Sequence, residues 1–175
     1  LPLDFRRVCR ILRWSETLKA LRDLLLAVPE GRRLLTTRQS ALGRDKLIKV
    51  TLSAAAKGRT VAICSDEIAK ALNWLVALDG AAANIVLLSG SLDADLALSL
   101  AKEAGCEFIL TPRDDLAARA DGIAIASSLD ALEASAPNFP DAPSTTTWIL
   151  TTSGTTGRPK LISHTLESLT RTTKI

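Results

Sequence analysis

From Thr60 onward the apolar residues fall into short unbroken runs separated by amphipathic stretches. Val61-Ala62-Ile63-Cys64, Ile85-Val86-Leu87-Leu88, Phe108-Ile109-Leu110, Ile123-Ala124-Ile125-Ala126 and Trp148-Ile149-Leu150 are continuous rather than alternating. That is the pattern of strands buried on both faces. After the first run, Asp66 and Glu67 open a predicted helix with Ile68, Ala71, Leu72 and Leu75 on one face, acidic residues suiting its positive dipole end. A second helix is predicted over 91–104, with Asp93 and Asp95 early and Gly105 behind it, and shorter ones over 115–120 and 129–134. Pro112 ends the third run; Pro137, Pro140 and Pro143 make 135–144 a rigid connector into a last strand over 146–150. Strands alternating with helices predict an α/β fold, a mostly parallel sheet flanked by helices.

The pattern before Thr60 is helical. Ser15 is an N-cap candidate for a helix with Leu18, Leu21, Leu25 and Val28 on one face, stopped by Pro29 and Gly31. Leu34-Leu35-Thr36-Thr37 reads as a short strand. A further helix is predicted over 45–57, carrying Leu47, Val50, Thr51 and Ala54 and closed by Gly58. Residues 5–14 mix Phe5, Val8, Ile11 and Leu12 with Arg6, Arg7, Arg10 and Arg13, an amphipathic basic stretch that reads as packing on the body rather than lying on a membrane. The chain thus divides into a basic helical arm and lead-in, 1–59, and an α/β unit, 60–175.

Charge sharpens that division. Residues 1–59 hold 14 Lys+Arg against 5 Asp+Glu, residues 60–150 hold 4 against 13, and residues 151–175 hold 4 against 1. The basic third lacks zinc-finger, helix-turn-helix or aromatic RNA-binding signatures, so it reads as pairing with the acidic body, with no nucleic-acid partner. With 175 residues the chain can bury roughly 70% of its unfolded surface without staples. No apolar run approaches the roughly 18 residues of an integral membrane segment. Cys9, Cys64 and Cys106 are scattered without metal-ligand spacing and read as reduced thiols of a cytoplasmic protein; no metal site is predicted from the side chains. The chain holds no Met, opens on Leu-Pro-Leu and stops at Lys174-Ile175 within a helical pattern, so a piece of a longer protein is expected.

The chemistry concentrates in Thr151-Thr152-Ser153-Gly154-Thr155-Thr156-Gly157-Arg158-Pro159-Lys160, which follows the last apolar run directly and leads into a helix-like segment. Glycines let backbone N–H groups turn inward, hydroxyls add donors, and a lysine supplies positive charge: the parts of a phosphate cradle. It lies at the carboxyl end of a strand, where α/β sheets bind ligands. A Walker loop requires Gly-x-x-x-x-Gly-Lys-Ser/Thr, but Gly154 and Gly157 are three apart and Leu161 follows Lys160. A dinucleotide fingerprint should follow the first core strand, yet no glycine occurs between Cys64 and Gly80. Nine of the 13 residues 144–156 are Ser or Thr, but Trp148-Ile149-Leu150 interrupts any simple polar tract. His164 reads as a surface or packing residue at a helix N-terminus, Asp114-Asp115 as helix capping, and Trp14 and Trp74 as packing.

Thr-Ser-Gly-Thr-Thr-Gly-x-Pro-Lys is matched completely over 152–160. On this motif the chain resembles the N-terminal part of the acyl-adenylate-forming superfamily: acyl- and aryl-CoA synthetases, adenylation domains and luciferases. Val61-Ala62-Ile63, Ala77-Leu78-Asp79-Gly80-Ala81 and the run 85–88 extend the likeness loosely over about 34–175. Leu161 stands where many members have glycine, while His164 lies four beyond the lysine, as in some CoA ligases. The resemblance implies that a carboxylic acid attacks the α-phosphorus of ATP, with Mg²⁺ on the phosphates, and that the acyl-adenylate is captured by CoA or the phosphopantetheine of an acyl carrier protein. It further implies that Thr152, Ser153, Thr155 and Thr156 donate to the phosphates, that Gly154 and Gly157 allow close approach, and that Lys160 offsets leaving-group charge. It places the acid pocket, the hinge and the C-terminal domain downstream of the motif, so these 175 residues alone are expected to be inactive. The other reading the residues allow is a non-catalytic nucleotide-sensing or protein-interaction module of the same fold.

Overall fold

The structure, a computed structural model, describes residues 20–36, 41–135, 145–152 and 157–171. The basic stretch 5–14, Trp14, Cys9, the Ser15 cap and the proline connector 136–144 lie outside the described residues. In chain order the elements are α1 (Leu21–Ala27), β1 (Arg33–Thr36), β2 (Ala41–Gly43), α2 (Arg44–Leu47), β3 (Thr60–Cys64), α3 (Ile68–Leu78), β4 (Asn84–Leu88), α4 (Ala94–Glu103), β5 (Phe108–Leu110), α5 (Asp114–Ala117), β6 (Ala124–Ala126), α6 (Leu129–Ser135), β7 (Thr147–Thr152), β8 (Lys160–His164) and α7 (Leu166–Thr170).

Each of the five apolar runs after Thr60 is a strand. They assemble with β8 in the order β6-β5-β3-β4-β7-β8, parallel throughout except for the antiparallel pair β7/β8. Alternate residues of each strand feed opposite faces. Val61, Ile63, Ile85, Phe108 and Leu110 pack with Trp74 and Leu78 of α3 and Leu132 of α6. Ala62, Cys64, Val86, Leu88 and Ile109 pack with Leu100 of α4 and Leu116 of α5 on the other face. Ala94, Ala97 and Ala101 also point into this second layer, so α4 lies close to the sheet. Both layers are needed because parallel strands bury both faces.

The lead-in is bonded to this body. Leu25, Leu42 and Leu47 pack on Val76 of α3, and β1 and β2 form a separate antiparallel pair. The predicted helix over 45–57 is corrected to the single turn α2, with residues 48–59 in turns and irregular chain. Tertiary partners replace the helical ladder there: the Ser53 N–H donates to the Ala77 carbonyl at 2.8 Å, and the Glu133 carboxylate accepts from the Ser53 hydroxyl at 2.6 Å and the Ala55 N–H at 3.1 Å. Ser53 Oγ in turn accepts from the Ala56 N–H at 3.2 Å, the local competition by which serine leaves helices. In α3 the predicted face holds at Ala71, Leu72 and Leu75, which pack on the core, but Ile68 is 62% exposed, and Trp74, Val76, Ala77 and Leu78 are the most buried residues.

Candidate functional site

The sheet's connections locate its ligand edge. β3 leads through α3, on one face, to β4; β4 returns through α4, on the other face, to β5 on the far side of β3. The topological switch, the usual ligand crevice of such sheets, therefore lies at the carboxyl ends of β3 and β5. Here Arg113 spans it. From the loop after β5 its Nη1 donates to the carbonyls of Gly90 at 2.9 Å and Leu92 at 2.6 Å in the loop after β4, crossing the end of β3. Asp115 clamps the same guanidinium through both carboxylate oxygens, at 3.0 and 2.5 Å, and this hydrogen bonding holds the Asp115 carboxyl below its usual range. Asp114-Asp115, predicted to cap α5, thus sits in its first turn, with Asp115 an arginine clamp and no side-chain cap at the helix start.

The carboxyl end of β7 leads into the motif. Thr147–Thr152 is rich in β-branched residues and lies between β4 and β8, with Thr152 paired with Lys160 at the mouth of a hairpin. Thr152, Gly157 and Lys160 are all exposed at this mouth. Gly157 has φ +81°, a conformation only glycine takes without strain. Ser153, Gly154, Thr155 and Thr156 lie outside the described residues. Among the described residues Lys160 has no ion-pair partner, so its ammonium is available to an anion. A cleft of about 390 Å³ beside it is lined by Glu103, Arg158, Pro159, Lys160 and Leu161.

One expectation about the surroundings is corrected. The segment after the loop is the strand β8, not a helix, because its Leu161 is drawn into the α4 layer and its backbone pairs along β7. His164 is the last strand residue, opposite Trp148, and directly precedes Thr165, the cap of α7, so it lies at a helix N-terminus as expected. Four residues of strand put His164 about 13 Å from Lys160, at the opposite end of the hairpin from the loop.

Sequence reasoning passed over three residues. Arg158 occupies the variable position of the motif, yet its Nη2 donates to Ser99 Oγ at 3.1 Å and Glu103 Oε2 at 2.9 Å on α4. A carboxylate at the final residue of a helix opposes the dipole, and that was the available signal for Glu103. Asp79, 1% exposed, accepts from Trp148 Nε1 at 2.9 Å and from the Leu21 N–H, tying α1 and β7 together. Burial pushes its carboxyl up from 3.8. Among the described residues no three His, Cys, Asp or Glu side chains cluster as a metal site.

A family model described as AMP-binding enzyme matches residues 50–175, most of the chain and the whole of the sheet and hairpin. The chain belongs to the AMP-binding enzyme family. Its fold is shared with solved structures of AMP-binding enzymes. The N-terminal subdomain of NpsA from Klebsiella oxytoca matches with a TM-score of 0.64 and 20% identity over 85% of this chain and 42% of that one. The o-succinylbenzoate CoA synthetase MenE from Bacillus subtilis, solved with ATP and magnesium ion, matches with a TM-score of 0.54 and 20% identity over 73% and 38%. An artificially fused adenylation–PCP di-domain, NpsA-ThdA from Klebsiella oxytoca, matches with a TM-score of 0.64 and 19% identity over 87% and 34%. The chain thus spans about two fifths of the length of the first structures it matches. A search of curated proteins found no match.

Proposed function

We propose that this AMP-binding enzyme chain is the N-terminal part of an ATP-dependent acid–thiol ligase, which activates a carboxylic acid as acyl-AMP and passes it to CoA or a carrier-protein phosphopantetheine. One observation carries the reading: the hairpin register brings Thr152 and Lys160, which has no ion-pair partner among the described residues, to the carboxyl end of β7, on the motif stretch within the family match. Lys160 is positioned to hold the departing pyrophosphate of ATP, and the Thr152 hydroxyl to donate to a phosphate oxygen. Ser153, Gly154, Thr155, Thr156 and Gly157 complete the cradle with hydroxyl and backbone donors. Mg²⁺, when bound, would offset the remaining phosphate charge.

Because the chain spans about two fifths of its structural relatives, these 175 residues do not complete adenylation by themselves. The reaction belongs in the cytoplasm, where ATP is available and the free thiols Cys64 and Cys106 stay reduced. Among the described residues no helix is long and apolar enough to cross a membrane.

The test is acid-dependent ATP–pyrophosphate exchange by the full-length enzyme over a panel of aliphatic and aryl carboxylic acids. A charge-assisted contact is worth about 1.5–3 kcal/mol, so Lys160→Ala lowers exchange by about 10- to 150-fold. Unchanged exchange removes Lys160 from the phosphate site. No exchange with any acid, together with retained ATP binding, favours the nucleotide-sensing module. Exchange by the 175-residue chain alone refutes the division of labour.

A further inference from the structure

The hairpin fixes the two stems of the phosphate loop, Thr152 and Lys160, through its register. A third point of fixation lies on another element. Arg158 stands two residues before Lys160, and its guanidinium reaches across to α4, where Ser99 Oγ and Glu103 Oε2 accept from the same Nη2. Ser99 and Glu103 are four apart, hence neighbours on one helical face. Glu103 gains nothing from its own helix, since it sits at the negative end of the dipole. Its compensating positive charge is Arg158, at 2.9 Å. Between Arg158 and Lys160 there is only Pro159, whose ring fixes φ near −65°, so the Arg158 anchor leaves little freedom in the approach to Lys160. The two cations of the arm thereby play separate parts. Arg158 is held by α4, and Lys160 has no ion-pair partner among the described residues.

We infer that Glu103 and Ser99 are positioning residues for the phosphate loop, acting through Arg158 to hold its returning arm against α4 with Lys160 free to meet the nucleotide. The inference rests on the phosphate-loop reading of Lys160. It predicts that the anchor lowers the ordering needed when ATP binds. An exposed pair of this kind has a modest effect, so Glu103→Ala weakens MgATP binding by about two- to five-fold. Wild-type affinity falls toward that of the variant as ionic strength rises, because exposed pairs are screened.

The measurements are calorimetric titration of the full-length protein with MgATP at low and high salt, and amide hydrogen exchange at Gly157 and Arg158. In Glu103→Ala those two amides exchange faster, the melting temperature stays within the wild-type range, and the double variant Glu103→Arg/Arg158→Glu returns the exchange to the wild-type rate. A helix-stability effect alone would move the melting temperature and would not be rescued by the charge swap. Unchanged exchange in Glu103→Ala overturns the inference. So does tighter MgATP binding, because Arg158 would then be a phosphate ligand that Glu103 withholds. Failure of the underlying reading looks different: Lys160→Ala would leave MgATP binding unchanged while Glu103→Ala still sped exchange at Gly157 and Arg158.

Discussion

Asp79 offers the sharpest stability test, because its carboxylate is buried at a junction of three elements. It follows α3, receives the Leu21 N–H at the start of α1, and receives Trp148 Nε1 from β7, the strand that ends at the candidate site. Asp79→Ala strands two donors at about 1–3 kcal/mol each, partly offset by removal of a buried charge, for a net loss of about 2–4 kcal/mol. That is a large share of the roughly 5–15 kcal/mol that holds a domain together. Asp79→Asn keeps the shape and one acceptor but turns an NH₂ toward the second donor, so it costs about 1–2 kcal/mol. Burial raises the Asp79 carboxyl from 3.8, with the like charge of Asp23 adding to the rise. Below 3.8 both folded and unfolded states hold the proton. As pH climbs from there through the raised folded value, the unfolded chain has already released a proton that the folded protein keeps, so stability contributed by Asp79 falls. Urea unfolding followed by far-UV circular dichroism at a series of pH values reads this directly. The stability advantage of wild type over Asp79→Asn is largest near pH 4 and shrinks toward neutrality. An advantage that grows with pH would mean the ionised carboxylate is favoured by the fold, and the burial argument would be wrong.

Two further outcomes follow from close packing. A Cβ at Gly90 would lie 2.5 Å from the Asp66 backbone nitrogen, so Gly90→Ala forces the β3 and β4 loops apart and costs about 1–3 kcal/mol; a melting temperature equal to wild type would show that the contact can yield. Burial pushes the Cys106 thiol up to about 12 and raises that of Cys64 less decisively, because Arg113 opposes the rise. At pH 8 in native buffer neither thiol reacts with a disulfide reagent at the rate seen in denaturant, and native-state reaction at the denatured rate would contradict their burial.

The body of the fold was legible because its signal is repeated. Five apolar runs and the helices between them state the same α/β pattern, and no single substitution at Val61 or Ile85 would hide it. The lead-in was less legible for a physical reason: residues 45–57 carry a helical spacing, but Ser53, Ala55 and Ala77 find partners 24 to 80 residues away, which local pattern cannot show. The strand β8 was misread in the same way. Lys160–His164 has no strong alternation in its exposure, and it becomes a strand because β7 offers an unpaired edge. In the candidate site, Thr152, Gly157 and Lys160 announced themselves by type and spacing. Arg158 and Glu103 did not, since an arginine in a variable position and a glutamate 55 residues earlier are linked only by the fold.

A strand in place of a helix after the loop changes how the site must work. A phosphate loop that opens a helix receives roughly half a unit of positive charge from the helix N-terminus. Here β7 and β8 pair as a hairpin, and α7 begins at the other end of β8, where Thr165 and Ser168 form a reciprocal capping box. The helix field is therefore not directed at the loop. Arg158 is committed to Glu103, and Arg113 to Asp115 and two carbonyls. What remains at the mouth of the hairpin, among the described residues, is Lys160. On the proposed reading, Lys160 is the described side chain left to meet the nucleotide's phosphates, so Lys160→Ala is expected to lower exchange by about 10- to 150-fold.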